Sequence, residues 1–283
     1  MKQKRDLSVL NGIAATMVAY FITVPGHELF HLLTHILYKS KLVCYSAGAV
    51  EAVVPNMAAL TPFHRIMVAG GSASILNVLI GAILALVLVK ATLRPMLRLF
   101  LTQLMGMQIV QGVGYFMIGG LFGAGDWGNV YAQIGELPGL ITALRIVLST
   151  VGILGILALF FFLNYLSYYF VEDKEDKKER MHVAVVLHLL PLIFGFSLGM
   201  IVSAVSPAVK SGALSMGECI LFNFMWIPFF WGFMFTGVMK TLPPKKSIFL
   251  YKLPAEPRYV LLGVGIVLIL IDVFVFGPGI WFN

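Results

Sequence analysis

The sequence predicts an all-α polytopic membrane protein of about seven transmembrane helices, with a short β-hairpin after the first span. Three observations carry this expectation. Of 283 residues, 59% are apolar and only 12% charged, which is more apolar than the core of a soluble domain requires. Seven separate runs reach about 18 or more mostly apolar residues, and about 20 residues rising 1.5 Å each cross a hydrocarbon layer of roughly 30 Å. The runs do not alternate apolar and polar residues as barrel strands would, whereas helices satisfy their own backbone groups in lipid.

In chain order the spans are read at 7–37, 64–89, 96–120, 140–171, 183–205, 219–238 and 259–276. The first is longer than a crossing needs and is expected to break at Pro25-Gly26. Its basic start, MKQKR, suits the head of a signal peptide, but no small-residue cleavage site follows, so the span is expected to remain. Residues 42–60, LVCYSAGAVEAVVPNMAAL, supply the hairpin. The charged stretch VEDKEDKKERMH, 171–182, reads as a solvated loop. TLPPKKSIFLYKLPAEPR, 241–258, reads as a proline-punctuated loop at the headgroups. Residues 1–135 hold nearly all the unusual polar groups and are read as a catalytic membrane core, with 136–283 as an additional helical region.

A net charge of +7 does not point to nucleic acid, because the basic residues gather at the ends of spans. With seven spans they divide about fifteen to five in favour of the side holding the N-terminus, which places that end in the cytoplasm. Cys44 and Cys219 stand far apart without a CxxC pattern, so they suggest neither a disulfide framework nor a thiolate metal site.

The feature that resists a purely structural reading is VPGHELFHLLTH, residues 24–35, inside the first span. His27-Glu28-Leu29-Phe30-His31 matches H-E-x-x-H. Two histidines one helical turn apart can reach one zinc ion, and the adjacent Glu28 can serve as general base toward water. Ionisable residues within a span are costly and usually functional. His35 continues the face at i+8 but lies near the end of the span, where an interfacial role is expected.

A catalytic zinc site takes a third protein ligand and keeps one position open. The extended metzincin pattern fails, since Thr34 and Leu37 stand where glycine and histidine would be required. Asp126 is the leading carboxylate. It lies in GGLFGAGDWGNVY, residues 119–131, where Gly119, Gly120, Gly123, Gly125 and Gly128 allow a sharply bent backbone. Alternating span directions bring the end of span one and the end of span three to the same membrane face. A loop aspartate capping the next helix is the other reading, and Glu136 or Glu218 are alternative third ligands.

These residues resemble the site-2 protease family of intramembrane zinc metalloproteases. Beside the H-E-x-x-H, the stretch VAGGSASILNVLIG, 68–81, looks like that family's A-G-P-x-x-N-x-x-x-A helix, and GDWG looks like its L-D-G. The likeness covers residue 7 to about 135. It implies one Zn2+ ion held by His27, His31 and Asp126, Glu28 as catalytic base, and Asn77 near the zinc, holding substrate or oxyanion. Without the family, GGSAS reads as a close helix approach and Asn77 as an interhelical hydrogen-bonding group. The resemblance further implies a hairpin edge on which an unwound substrate pairs as an added strand. Phe30, Gly71-Ser72 and Trp127 depart from the family pattern, and no insertion is long enough for a PDZ domain.

The expected activity is therefore hydrolysis of a peptide bond in or near a transmembrane segment, with a membrane protein or membrane-bound peptide as substrate and the bilayer as medium. Two other readings stay open: a zinc hydrolase of a lipid amide, and a transporter-like bundle using the same residues as a metal or proton path. Gln103, Gln108 and Gln111 are expected mainly to bond neighbouring helices. Asp272 is read as interfacial or paired, and His64, His182 and His188 receive no role.

Overall fold

A computed structural model describes residues 2–212, 215–239 and 250–282 of the chain, with side chains described from residue 7 onward. Among the described residues seven helices are long and apolar enough to cross a membrane. They are α1 (Lys2–Leu37), α2 (Pro62–Lys90) and α3 (Pro95–Phe122). After the short α4 (Asp126–Gln133) come α5 (Pro138–Phe170), α6 (Lys177–Val205), α7 (Met216–Met239) and α8 (Tyr259–Phe276). The fold is thus the all-α polytopic one that the hydropathy implies, and its spans agree with the sequence reading to within a few residues, the start of α6 excepted.

Three local differences have physical causes. First, α1 does not break at Pro25-Gly26 but runs on as one helix. Proline removes one amide donor, yet the Pro25 carbonyl gains a donor in the Tyr45 hydroxyl at 3.0 Å, which holds the hairpin against the helix. Second, the charged stretch is loop only to Asp176, whose side chain accepts from the Lys178 amide and starts α6. Arg180, one turn in, is buried and donates to the Lys174 carbonyl at 2.6 Å. Third, α2 contains a π-helical turn at Met67–Gly71, where Gly70 adopts φ 151°. Part of the 241–258 loop lies outside the described residues; from Leu250 to Arg258 the chain is irregular and covers the N-terminal end of the bundle.

The central helix is α3, whose spanning window is 78% buried, and α8 is the most peripheral at 11%. Lipid offers no hydrophobic drive between helices, so close approach of small residues matters most. At Gly112 an added Cβ would lie 2.6 Å from the Ser74 carbonyl oxygen and 3.0 Å from the Val78 amide, so α3 and α2 touch backbone to backbone. Around this contact Met105, Met107, Leu163, Trp226 and Phe229 build the main core from α3, α5 and α7. A second cluster gathers Phe116, Trp127, Val130 and Ile134 beneath α4.

The hairpin expected at 42–60 is present as β1 (Lys41–Ser46) and β2 (Ala49–Val53), with Lys41 opposite Val53 and Ser46 opposite Ala49. A third strand that sequence reasoning did not foresee, β3 (Ile280–Trp281), pairs antiparallel with β1 on its other side. The order β2-β1-β3 leaves the outer edge of β2 unpaired among the described residues. Cys44 is enclosed at the middle of this sheet and forms no disulfide, and burial pushes its thiol up, away from reactivity.

Candidate metal centre

The i, i+4 spacing on α1 places both imidazoles on one face, with ring centroids 4.9 Å apart and the rings nearly perpendicular. Their Nε2 atoms lie 3.3 Å from each other. Asp126 reaches them from the first turn of α4: its Oδ2 is 2.9 Å from His27 Nε2 and 3.2 Å from His31 Nε2. A tetrahedral ion with bonds of about 2.0–2.1 Å separates its donors by about 3.3 Å. Three ligand atoms from two separate elements thus already stand at the spacing of three corners of such a tetrahedron, and the group is suited to a metal ion.

Two backbone features deliver Asp126. Gly123 and Gly125 both take positive φ, 66° and 65°, and turn the chain from the end of α3 into α4. Opposite, Gly70 forms the wall against which the aspartate rests: a Cβ there would lie 2.7 Å from Asp126 Cβ and 2.7 Å from its carbonyl oxygen. The distorted turn in α2 is therefore a cradle for Asp126. Burial by itself would raise the Asp126 carboxyl, but the His31 and His27 imidazoles overcome this and hold it well below the usual carboxylate range. An ionised carboxylate among imidazoles, its side chain only 16% exposed, is a compensated arrangement for a dication rather than an isolated buried charge.

Behind the ligands lies a hydrogen-bonded relay. His27 Nδ1 is 2.7 Å from Asn77 Oδ1, and Asn77 Nδ2 donates to Gln108 Oε1 at 2.6 Å. Because the amide nitrogen of Asn77 faces a carbonyl oxygen, its own oxygen accepts the Nδ1–H of His27. That fixes the tautomer and leaves Nε2 as the free donor atom. Asn77 is fully buried and its amide is committed on both sides, toward the imidazole and toward Gln108. Tyr115 completes the support by stacking on His27, centroids 4.7 Å apart and planes 20° from parallel.

Glu28 and His31 open on a cavity of about 540 Å³ that also exposes Asp126, His35 and the β2 residues Ala49, Val50 and Glu51. His35 lines the cavity as well, with Nδ1 3.2 Å from Ser40 Oγ near the end of α1. The alternative third ligands are engaged elsewhere. Glu218 caps α7 by accepting from Ser215 N and Oγ, both at 2.8 Å. Glu136 pairs with Arg65; a bond from its own backbone amide, together with that guanidinium, lowers its carboxyl.

Of the remaining polar residues, Gln103 bonds across to the Val186 carbonyl at 2.8 Å. Gln111 borders a second small cavity that reaches Glu28. Asp272 is fully buried, and neither of its side-chain oxygens finds a hydrogen-bond partner among the described residues, so the expected pairing is not present there. His182 and His188 bond Ser8 and Ser167, each at 2.7 Å, and His64 meets the edge of Tyr38. Sequence reasoning missed Tyr115, the place of Gln108 and the cradle at Gly70. Only the paired glycines 70–71 signalled close packing beforehand.

Compared with known proteins, the chain matches no family model, no curated protein and no solved structure.

Proposed function

We propose that the chain is an intramembrane zinc metallopeptidase of the site-2 protease type, cleaving a peptide bond in or near a transmembrane segment. The observation that carries this reading is the convergence of His27, His31 and Asp126 beside Glu28, at a cavity lined by Glu28, His31, Asp126 and residues of β2, the outer strand of the sheet. His27, His31 and Asp126 would hold the ion, which when bound supplies Lewis-acid activation of water and of the scissile carbonyl. Glu28 accepts the proton that the attacking water loses and passes it to the departing amine nitrogen. Asn77 acts as a positioning residue, keeping His27 in the tautomer that offers Nε2.

A helical substrate hides its peptide bonds in internal hydrogen bonds and must unwind before attack. The free edge of β2 offers those exposed amides and carbonyls a partner at the cavity wall, as an added strand. Helix-breaking residues in a substrate therefore favour cleavage. On the bias of basic residues toward the side holding the N-terminus, we assign that end, and the end of the bundle opposite the site, to the cytoplasm.

The test is metal content paired with turnover. Purified full-length protein is assayed for bound zinc and, by mass spectrometry, for cleavage of co-reconstituted transmembrane peptides that carry a central Gly-Pro. Glu28→Gln is expected to retain zinc and lose at least 100-fold in rate, general-base contributions being about 10²–10⁴. His27→Ala is expected to lose both. Undiminished cleavage by Glu28→Gln, or zinc retained by the His27→Ala, His31→Ala double variant, overturns the reading.

A further inference from the structure

At the end of the bundle opposite the metal centre, a cleft of about 1020 Å³ opens between α1, α3 and α8. It arises because α8 rests on α1, where Gly265 meets Met17, and leaves α3 uncovered on that side. Its walls are apolar: Leu7 and Val18 from α1, Leu97 and Phe100 from α3, Leu261 from α8. Leu7 and Val18 are eleven residues apart, three helical turns along one face and about 16 Å in depth. That is the thickness of one leaflet's hydrocarbon, about half of 30 Å. Along α1 the apolar lining therefore has the length of part of an acyl chain, with Leu97, Phe100 and Leu261 facing its upper portion.

Its mouth is basic. Arg94, Lys252 and Arg258 border it, against a single acidic residue, Glu256. Arg258 and Lys252 meet carboxylates only loosely, Glu256 and Glu172 respectively, both at 3.9 Å and well exposed. Arg94 precedes α3 and Arg258 precedes α8, and neither helix start is capped by a side chain.

The mouth is also pre-organised. Asn11, 1% exposed on α1, donates to the carbonyls of Pro254 at 2.7 Å and Glu256 at 2.8 Å and accepts from the Arg258 amide at 2.9 Å. A buried amide spends both its donors and its oxygen on holding 254–258 across the top of α1. Deeper support comes from Arg98, whose guanidinium carbon lies 4.1 Å from the centre of the Tyr169 ring and 4.7 Å from that of Tyr251, two rings whose centroids are 6.3 Å apart. The backbone that carries Lys252 and Arg258 is thereby held over the apolar slot, with both side chains largely exposed.

We infer that this cleft is a binding site for an anionic phospholipid of the leaflet at the N-terminal end of the bundle, one acyl chain in the slot and the phosphate among Arg94, Lys252 and Arg258. Water-soluble anions lack a group for the apolar walls, and a zwitterionic lipid would place its own cation beside three others. Basic pockets between transmembrane helices suit anionic headgroups, with each Lys or Arg near the surface contributing about fivefold in affinity.

Native mass spectrometry of the full chain, released from nanodiscs of equal phosphatidylglycerol and phosphatidylcholine with identical acyl chains, tests this. Phosphatidylglycerol is expected to stay bound preferentially. Arg94→Gln, Lys252→Gln and Arg258→Gln should each weaken that preference about fivefold, while Lys90→Gln, at the same membrane face but away from the cleft, leaves it unchanged. Without any substitution, dioctanoyl phosphatidylglycerol should be retained more weakly than its long-chain form. Equal retention of the two headgroups, an equal effect of Lys90→Gln, indifference to chain length, or displacement by inorganic phosphate overturns the assignment.

Discussion

Asn77 shows how a residue's role is set by what its two polar atoms already hold. Its oxygen takes the His27 proton and its nitrogen is held by Gln108, so truncation leaves His27 Nδ1 without a partner and frees the ring to rotate. Asn77→Ala is expected to lower zinc affinity 10- to 100-fold while the protein stays folded, measured by competition with a chromophoric chelator. A loss of turnover at unchanged zinc affinity would instead place Asn77 toward the substrate. The histidine pair and Glu28 were legible in the sequence because i, i+4 spacing is a property of any helix. Asp126 was legible through its glycines and the alternation of span directions. Tyr115 and Gln108 were not, since α3 carries polar groups on several sides and which of them turns toward the site depends on its packing against neighbouring helices.

At the scale of elements, hydropathy located the spans well because crossing length is imposed by lipid. Breaks in that pattern were less readable. Pro25 looked like a break and is carried within a continuous helix, whereas the real distortion lies at Gly70, where a ligand from another element needs space. β2 invites a position-by-position test, since successive residues of a strand point their amides to opposite sides. A proline scan from Ala49 to Val53 should give a period of two. Positions whose amide faces β1 loosen the hairpin, and alternate positions slow cleavage several-fold with the fold intact, a proline being tolerated where the N–H faces outward. A flat response in cleavage across the scan would remove β2 from substrate binding.

Across the molecule as a whole, the candidate metal centre lies at one end of the bundle and the cleft bordered by Arg94, Lys252 and Arg258 at the other, and α1 contributes to both. The sheet adds a second tie, because β3 follows α8 and pairs beside Cys44 and Tyr45. That pairing depends on Gly279, at φ 87°, where a Cβ would stand 2.6 Å from Cys44 Sγ. Gly279→Val is expected to detach β3 and lower cleavage several-fold while zinc content is kept, since no ligand lies on the sheet; limited proteolysis at residues 277–282 reports the detachment. Nothing in residues 42–60 announces this partner, because a two-residue strand carries no periodicity of its own. Strand pairing over such a separation also orders events during biosynthesis. The inner flank of β1 waits for a partner made roughly 240 residues later, and non-local pairings form late. A nascent chain still emerging from the ribosome therefore carries His27, His31 and Asp126 before β1 gains its second partner, so the three-stranded sheet is completed only after the final span is made.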